Sequence, residues 1–416
     1  MTAGTRPARS PIADLSLLRR RRFALLFAGR TISMAGNVFG PIAIAFGVLA
    51  LPGATPATLS AVLAGHAVPQ LGLMLAGGVV GDRFPRQWVL VLAETLSGCA
   101  FAALAVMLLT GWAPLPLMVG AAFVAGCASA LLLPTLTGVI AEVVDRNELR
   151  AANALLRLGG NAASIGGVAI AGAVVVLLGP GVAVAIDAAT YFIAAALLAA
   201  LRMAAPTPRT RRRIWSDLRE GFREFAGRQW LWTVVASAAF LNAGTAAMFT
   251  VLGPVLAAQR LGGPIGWSLV LAAYSAGMLL SVLAALRIHP ARPVLTAALV
   301  TPLLAAPLAA LGLGAPVAVT AAAAFCAGAA FNVFSVLWET TLQQRVPAAA
   351  LARVTSCNYV VALSLKPLGI YLAGHAAIGL GPGRATLATG AILLVAGLVP
   401  LASPQVRQLT DDSGDE

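Results

Sequence analysis

Residues 89–110 read Val89-Leu90-Val91-Leu92-Ala93-Glu94-Thr95-Leu96-Ser97-Gly98-Cys99-Ala100-Phe101-Ala102-Ala103-Leu104-Ala105-Val106-Met107-Leu108-Leu109-Thr110, with Glu94 as the one charged residue. Wound as an α-helix, such a run extends about 33 Å, enough to cross the hydrocarbon core of a bilayer. It is a continuous apolar block, not the ten-residue alternation of a barrel strand. Stretches of the same kind recur on both sides of it. Phe23–Leu51, Ala57–Gly81, Pro114–Ala141, Asn153–Leu178 and Val182–Leu201 complete a first set of six. Trp230–Ala258, Gly266–Leu286, Pro293–Leu313, Pro316–Thr341, Val354–Ala377 and Ala385–Pro404 form a second. The expected fold is an all-α membrane protein with twelve transmembrane helices in two six-helix halves.

Composition agrees. Of 416 residues, 59% are hydrophobic and 10% charged, with a mean hydropathy of +0.89. A soluble globular chain is roughly a quarter charged, so an ordinary soluble enzyme is excluded. Disorder, a collagen-like chain and a disulfide scaffold fail on the same figures. The 42 Gly and 25 Pro are ordinary in membrane helices, where neighbouring helices satisfy the interrupted backbone. Cys99, Cys127, Cys326 and Cys357 are scattered singly through apolar runs, and His66, His289 and His375 are too dispersed for a metal motif. No metal site and no cofactor are expected.

Orientation follows from the arginines. With both termini in the cytoplasm, Arg260 and Arg384 are the basic residues of the external loops, and Arg30, Arg157 and Lys366 lie within spans. All other basic residues then face the cytoplasm, and no acidic residue falls in an external loop, as the positive-inside rule requires. The net charge of +13 therefore reads as membrane orientation and contact with anionic lipid, not as nucleic-acid binding. The basic start is a cytoplasmic amino terminus, because the apolar run behind it is about twice the length of a signal-peptide core of roughly 7–15 residues. A multi-pass protein of the bacterial plasma membrane is expected, working as a monomer.

The longest polar segment, 202–229, divides the chain. Residues 1–22 form a basic cytoplasmic amino terminus, 23–201 one bundle, 230–404 the other, and 405–416 an acidic cytoplasmic tail. Within the divider, Ile214, Leu218, Phe222 and Phe225 recur at helical spacing, which predicts an amphipathic helix on the membrane surface. A constant offset between the halves pairs Val144 with Val346, Leu149 with Leu351, Gly167 with Gly369 and Gly172 with Gly374. Internal duplication of this kind is how many transporters build a midplane site that can face either side.

Between the second and third spans the chain reads Gly77-Gly78-Val79-Val80-Gly81-Asp82-Arg83-Phe84-Pro85-Arg86-Gln87. Glycines let helices approach closely, and a carboxylate at a helix end can cap its neighbour while arginines bridge to acidic groups. Gly78, Asp82, Arg83 and Arg86 together could hold one conformation of a moving assembly and release another. This segment resembles the loop signature of the major facilitator superfamily. Ala151-Ala152-Asn153-Ala154-Leu155, Ala185-Ile186-Asp187-Ala188-Ala189-Thr190-Tyr191, and Leu337-Trp338-Glu339-Thr340-Thr341-Leu342-Gln343-Gln344-Arg345-Val346-Pro347 resemble its bacterial drug, macrolide and siderophore exporters. That resemblance implies a non-enzymatic, proton-coupled exporter of small molecules. Three features depart from it. The equivalent loop of the second half, 284–292, lacks the Asp; the fifth span carries Ile165-Gly166-Gly167 in place of a Gly-Pro pair; and Asn37 and Asn358 stand where relatives often have acids.

Ionisable residues at membrane depth are functional candidates by default. Glu94, Asp187, Glu339 and His66 are candidates for proton coupling, with Glu339 foremost. Glu94 is expected to meet Arg83 or Arg86, and Asp187 to cap or pair locally near the external end of the sixth span. Arg30, Asn37, Asn161, Asn242, Asn332, Asn358 and Lys366 are candidates to line a substrate cavity. The function expected is export of a small amphipathic molecule by alternating access in exchange for protons. An uncoupled facilitator or importer, or a non-transporting membrane receptor, are the alternatives on the same scaffold.

Overall fold

The computed structural model describes residues 16–74, 80, 83–145, 148–201, 227, 229–285, 290, 292–346 and 348–408. Every regular element among them is helical. Ten runs are long and apolar enough to cross a membrane, and the fifth span, bent by 43° between Ala151–Val168 and Ile170–Leu178, makes an eleventh. The predicted second span, Ala57–Gly81, is described as a helix over Pro56–Gly72. Its inner end lies outside the described residues, as do Gly78, Asp82 and the predicted amphipathic helix of the 202–229 segment.

Several spans are broken, and the sequence supplies the reason. The first is two helices, Arg21–Gly36 and Phe39–Leu49, parted at Asn37-Val38 just before Gly40-Pro41. The seventh runs Gln229–Ala247 and Gly253–Arg260, with a π-helical turn at Met248–Leu252 ahead of Pro254. The ninth narrows to a 3-10 turn at Thr301–Ala305, between Pro293–Val300 and Ala306–Gly312, where Pro302 and Pro307 interrupt the ladder. The eleventh restarts at Leu365, separating Ala348–Ser364 from Lys366–Gly379, with Pro367 in the new first turn. Proline lacks a backbone N–H and clashes with the preceding turn, so each break falls beside one. The third (Arg86–Thr110), fourth (Leu115–Val143), sixth (Pro180–Ala199), eighth (Pro264–Ala285), tenth (Val317–Arg345) and twelfth (Pro382–Ala402) are unbroken. A single residue, Gly179 at φ 87°, turns the fifth into the sixth; a side chain there would be strained.

Large apolar side chains cover the outside, among them Leu177 at 79% and Leu313 at 76% exposure, as a hydrocarbon-facing surface requires. Trp88 and Trp112 are both exposed at opposite ends of the third span, about 36 Å apart along its axis, matching the two interfacial belts of a bilayer.

In the first half, the third span packs on the fourth and sixth, the second on the fourth, and the first on the fifth and sixth. In the second half, the eighth packs on the tenth, the seventh on the eleventh and twelfth, and the ninth on the tenth and twelfth. The halves meet mainly where the second span lies along the eleventh and the fifth along the eighth. Both seams are tightest at the end remote from the arginine-rich loops. Gly374 there lies against the Pro56 carbonyl and Ser60, and Gly172 against the Pro264 carbonyl and Ser268. The two glycines are a pair from the sequence offset, and each meets the same Pro-x-x-x-Ser pattern. Gly167 and Gly369 behave likewise, against the Ala35 and Ala243 carbonyls of the first and seventh spans. The weak repeat is therefore a real two-fold relation, and these glycine contacts join the halves at the end remote from the arginine-rich loops.

At that end, ion pairs tie helix ends within the first half. Arg20 grips Glu148 with two contacts of 2.6 and 2.9 Å, and Arg86 reaches Glu142 at 3.1 Å. The start of the predicted acidic tail is not free: Val406 is buried, and the Gln405 side-chain oxygen accepts from the Trp230 backbone N–H at 3.1 Å.

Candidate functional site

The first span carries Arg30, Ser33 and Asn37 at i, i+3 and i+7, which places them on one helical face. That face turns toward the third and sixth spans. Glu94, on the third, is 2% exposed, and the Ser33 hydroxyl donates to its two oxygens at 3.1 and 3.3 Å. Arg30 shares with Glu94 a small pocket walled by leucines, including Leu26, Leu90, Leu132 and Leu198, and their opposite charges interact there. The expected meeting of Glu94 with Arg83 or Arg86 does not occur. Glu94 points across to the first span, whereas Arg86 turns back to Glu142 at the surface.

The sixth span brings Asp187 and Tyr191, one turn apart, to the same place. Asp187 is fully buried, and neither carboxylate oxygen has a hydrogen-bond partner among the described residues. The nearest hydroxyl, that of Thr190, donates to the Asp187 backbone carbonyl at 2.7 Å. The expected local pairing of Asp187 is thus limited to the Thr190 side chain one turn on, which acts on the carboxylate without closing a well-formed hydrogen bond to it. The carboxylate oxygens lie against Gly36 and Gly40, the two glycines bracketing the break in the first span. The Tyr191 hydroxyl donates to the Asn37 side-chain oxygen, and its ring packs on Phe101 at 5.2 Å between centroids. Tyr191 lies within electrostatic reach of Asp187, Glu94 and Arg30, so the groups form one cluster. Two carboxylates and one guanidinium thus share a buried volume at the depth of the hydrocarbon. With every group ionised, one negative charge would be uncompensated, a costly state in a low dielectric. Ser33, Tyr191 and the two glycines were not singled out from sequence; the shared helical face of Arg30, Ser33 and Asn37 was the available signal.

The remaining candidates stand elsewhere. Glu339 is exposed on the tenth span, facing the Tyr359 hydroxyl, with Arg157 of the fifth span close enough for its charge to act on the same tyrosine. Asn358 is buried and accepts from the Trp338 indole at 3.2 Å, and Asn332 donates to Ser281 at 3.0 Å. Both therefore hold helices together. Asn242 donates back to the Ala238 carbonyl, and Asn161 is exposed on the fifth span. His66, on the second span, shares a 3.3 Å hydrogen bond with Ser129 of the fourth. Lys366 lies across the seam from His66, near enough for its charge to be felt there.

A two-fold bundle of membrane-length helices, several of them broken, with halves in close contact at one end and ionisable groups buried at mid-depth, has the build of a polytopic membrane transporter. The chain belongs to the transmembrane secretion effector family of the major facilitator superfamily, whose pattern it matches over residues 12–414. It is 23% identical over 393 residues, 91% of each chain, to the uncharacterised MFS-type transporter YvqJ of Bacillus subtilis (strain 168). Among solved structures it is similar to a mutant of the nucleoside transporter NupG (TM-score 0.75, 14% identity, 92% of this chain and 99% of that one). An auto-inhibited POT family peptide transporter gives 0.73 at 11% identity, covering 95% and 99%. A bacterial homologue of the iron transporter ferroportin, in an inward-facing state, gives 0.70 at 15% identity, covering 92% and 98%. The fold is thus the major facilitator fold, and the chain a multi-pass membrane transporter.

Proposed function

We propose that the protein exports a small amphipathic molecule across the bacterial plasma membrane by alternating access, in exchange for inward-moving protons. Both termini and the arginine-rich loops face the cytoplasm in this reading, so the close glycine contacts of the seams lie at the external side and the substrate path opens inward. The observation that carries the coupling is the cluster of Asp187, Glu94 and Arg30: two buried acids against one base. One proton on the acid pair balances the charge, and its loss calls for a rearrangement or a cationic replacement. The cluster abuts the break in the first span, a hinge-like point through which protonation can change how that span sits between the halves. The family description as a secretion effector supports the outward direction. Glu339 and His66 serve as secondary proton stations at most, since neither shares the buried acid cluster. The substrate and protons are the partners, with membrane lipid around a monomer.

A resistance screen tests the reading. The gene is expressed in a drug-hypersensitive bacterium, and compound accumulation is followed with and without an uncoupler. Lowered accumulation of at least one amphiphile, restored by the uncoupler, is the expected result. Lowered accumulation that ignores the uncoupler removes the proton coupling, and raised accumulation reverses the direction.

A further inference from the structure

Lys366 is the only lysine in the chain, and it stands at mid-depth of the eleventh span, where that span restarts after Ser364-Leu365. Among the described residues its ammonium makes no ion pair or hydrogen bond, and no carboxylate acts on it. The buried acids Glu94 and Asp187 face the first span, and Glu339 faces Tyr359. Among the described residues, His66, across the seam on the second span and itself bonded to Ser129, lies within electrostatic reach of Lys366. Two nitrogen bases from opposite halves therefore sit on helices packed against each other across the seam, with no carboxylate among the described residues acting on either. Around them the seam is apolar: Ala64 and Ala67 of the second span pack near Ile370, Ala373 and Ala377 of the eleventh.

We infer that Lys366 and His66 form the head-group subsite of the transport path, and that the molecule carried bears an anionic group, a carboxylate, sulfonate or phosphate, on an apolar body. The inference rests on the transport reading and narrows it to a substrate class. An unpaired ammonium at this depth is unfavourable in the empty protein, and an arriving anion supplies the missing charge. Because Lys366 belongs to one half and His66 to the other, an anion bound to both spans the seam that must part during transport. Substrate binding at this position is thus felt by both halves.

The test uses the full chain in phosphatidylcholine nanodiscs, which carry no anionic lipid to compete. Three probes share a naphthalene body: 1-naphthylacetate, 1-naphthylacetamide and 1-naphthylmethylamine. Thermal stabilisation is titrated with each. The carboxylate should act at about tenfold lower concentration than the amide, and the amine should act least. Lys366→Gln should erase the difference between carboxylate and amide, and Lys366→Arg should keep it. An amide or amine as effective as the carboxylate in the wild type overturns the inference, as does a preference that survives Lys366→Gln or a lack of response to all three. The wild-type series decides by itself should Lys366→Gln fail to fold. Flux across proteoliposomes separates the two readings. Carboxylate preference without flux keeps the subsite and removes transport; flux without preference does the reverse.

Discussion

The carboxylate of Asp187 on the sixth span lies against Gly40, in the first turn of the second segment of the first span, so closely that a Cβ at Gly40 would meet its Oδ2. The acid is fully buried there, beside the amino-terminal end of a helix segment, Phe39–Leu49, whose partial positive charge favours an anion. The break in the first span and the buried acid are therefore one feature. The glycines admit the carboxylate, and the carboxylate sits at the break in the span.

Adding a methyl group at that contact should disturb it. Gly36→Ala places a Cβ against the Thr190 hydroxyl and Asp187, and Gly40→Ala against Asp187 and Phe101. Each should destabilise the protein by about 1–3 kcal/mol, the usual range for overpacking. Thermal unfolding in detergent measures this, with Gly72→Ala, where a Cβ meets nothing, as the control. A loss no larger than in the control would refute the close contact.

Arg30 and Glu94 should behave as partners. Arg30→Met leaves the buried Glu94 with Ser33 alone and should cost about 3–5 kcal/mol, the range for breaking a buried pair. Adding Glu94→Gln should recover most of that loss. A double-mutant cycle on unfolding midpoints reads the coupling, and strictly additive effects would show that the two groups do not interact.

The seam at the closed end should respond to bulk. Gly374→Leu has no room beside the Pro56 carbonyl and Ser60, and Gly172→Leu none beside Pro264 and Ser268. Either should shift the protein toward the form open at that end. At about 1–3 kcal/mol, the shift is a factor of roughly 5 to 150 in population. Thiol labelling of a cysteine placed at Ala64 should quicken by that factor; unchanged labelling would mean that the seam is not the gate.

If the loop signature around Asp82 serves conformational exchange, as its resemblance implies, Asp82→Asn should slow turnover more than it weakens substrate binding. Equal turnover in the variant, at saturating substrate in proteoliposomes, would count against that role.

The fold was legible because long apolar runs leave a chain few alternatives in a bilayer. The repeat was legible only in part. Gly172 and Gly374 could be paired by offset, but their Pro-x-x-x-Ser partners lie more than 90 residues away in one case and more than 300 in the other. The site was harder to read. Glu94 and Asp187 stood out as ionisable residues at depth, yet what each faces depends on helix rotation. Glu94 was expected to reach arginines near in sequence and instead meets Ser33 and Arg30 of another span. Glu339, foremost from the sequence, lies instead toward Tyr359 with Arg157 of the fifth span nearby, outside the buried acid cluster, because depth in a span does not say which residues other helices bring to it.

In the proposed function, protons drive transport through Asp187. The direct measurement is accumulation, in proteoliposomes with an imposed proton gradient, of the compound found by the resistance screen. The wild type should concentrate the compound above its equilibrium level. Asp187→Asn should lose that accumulation while still exchanging labelled for unlabelled compound. Accumulation by Asp187→Asn equal to the wild type would contradict the claim.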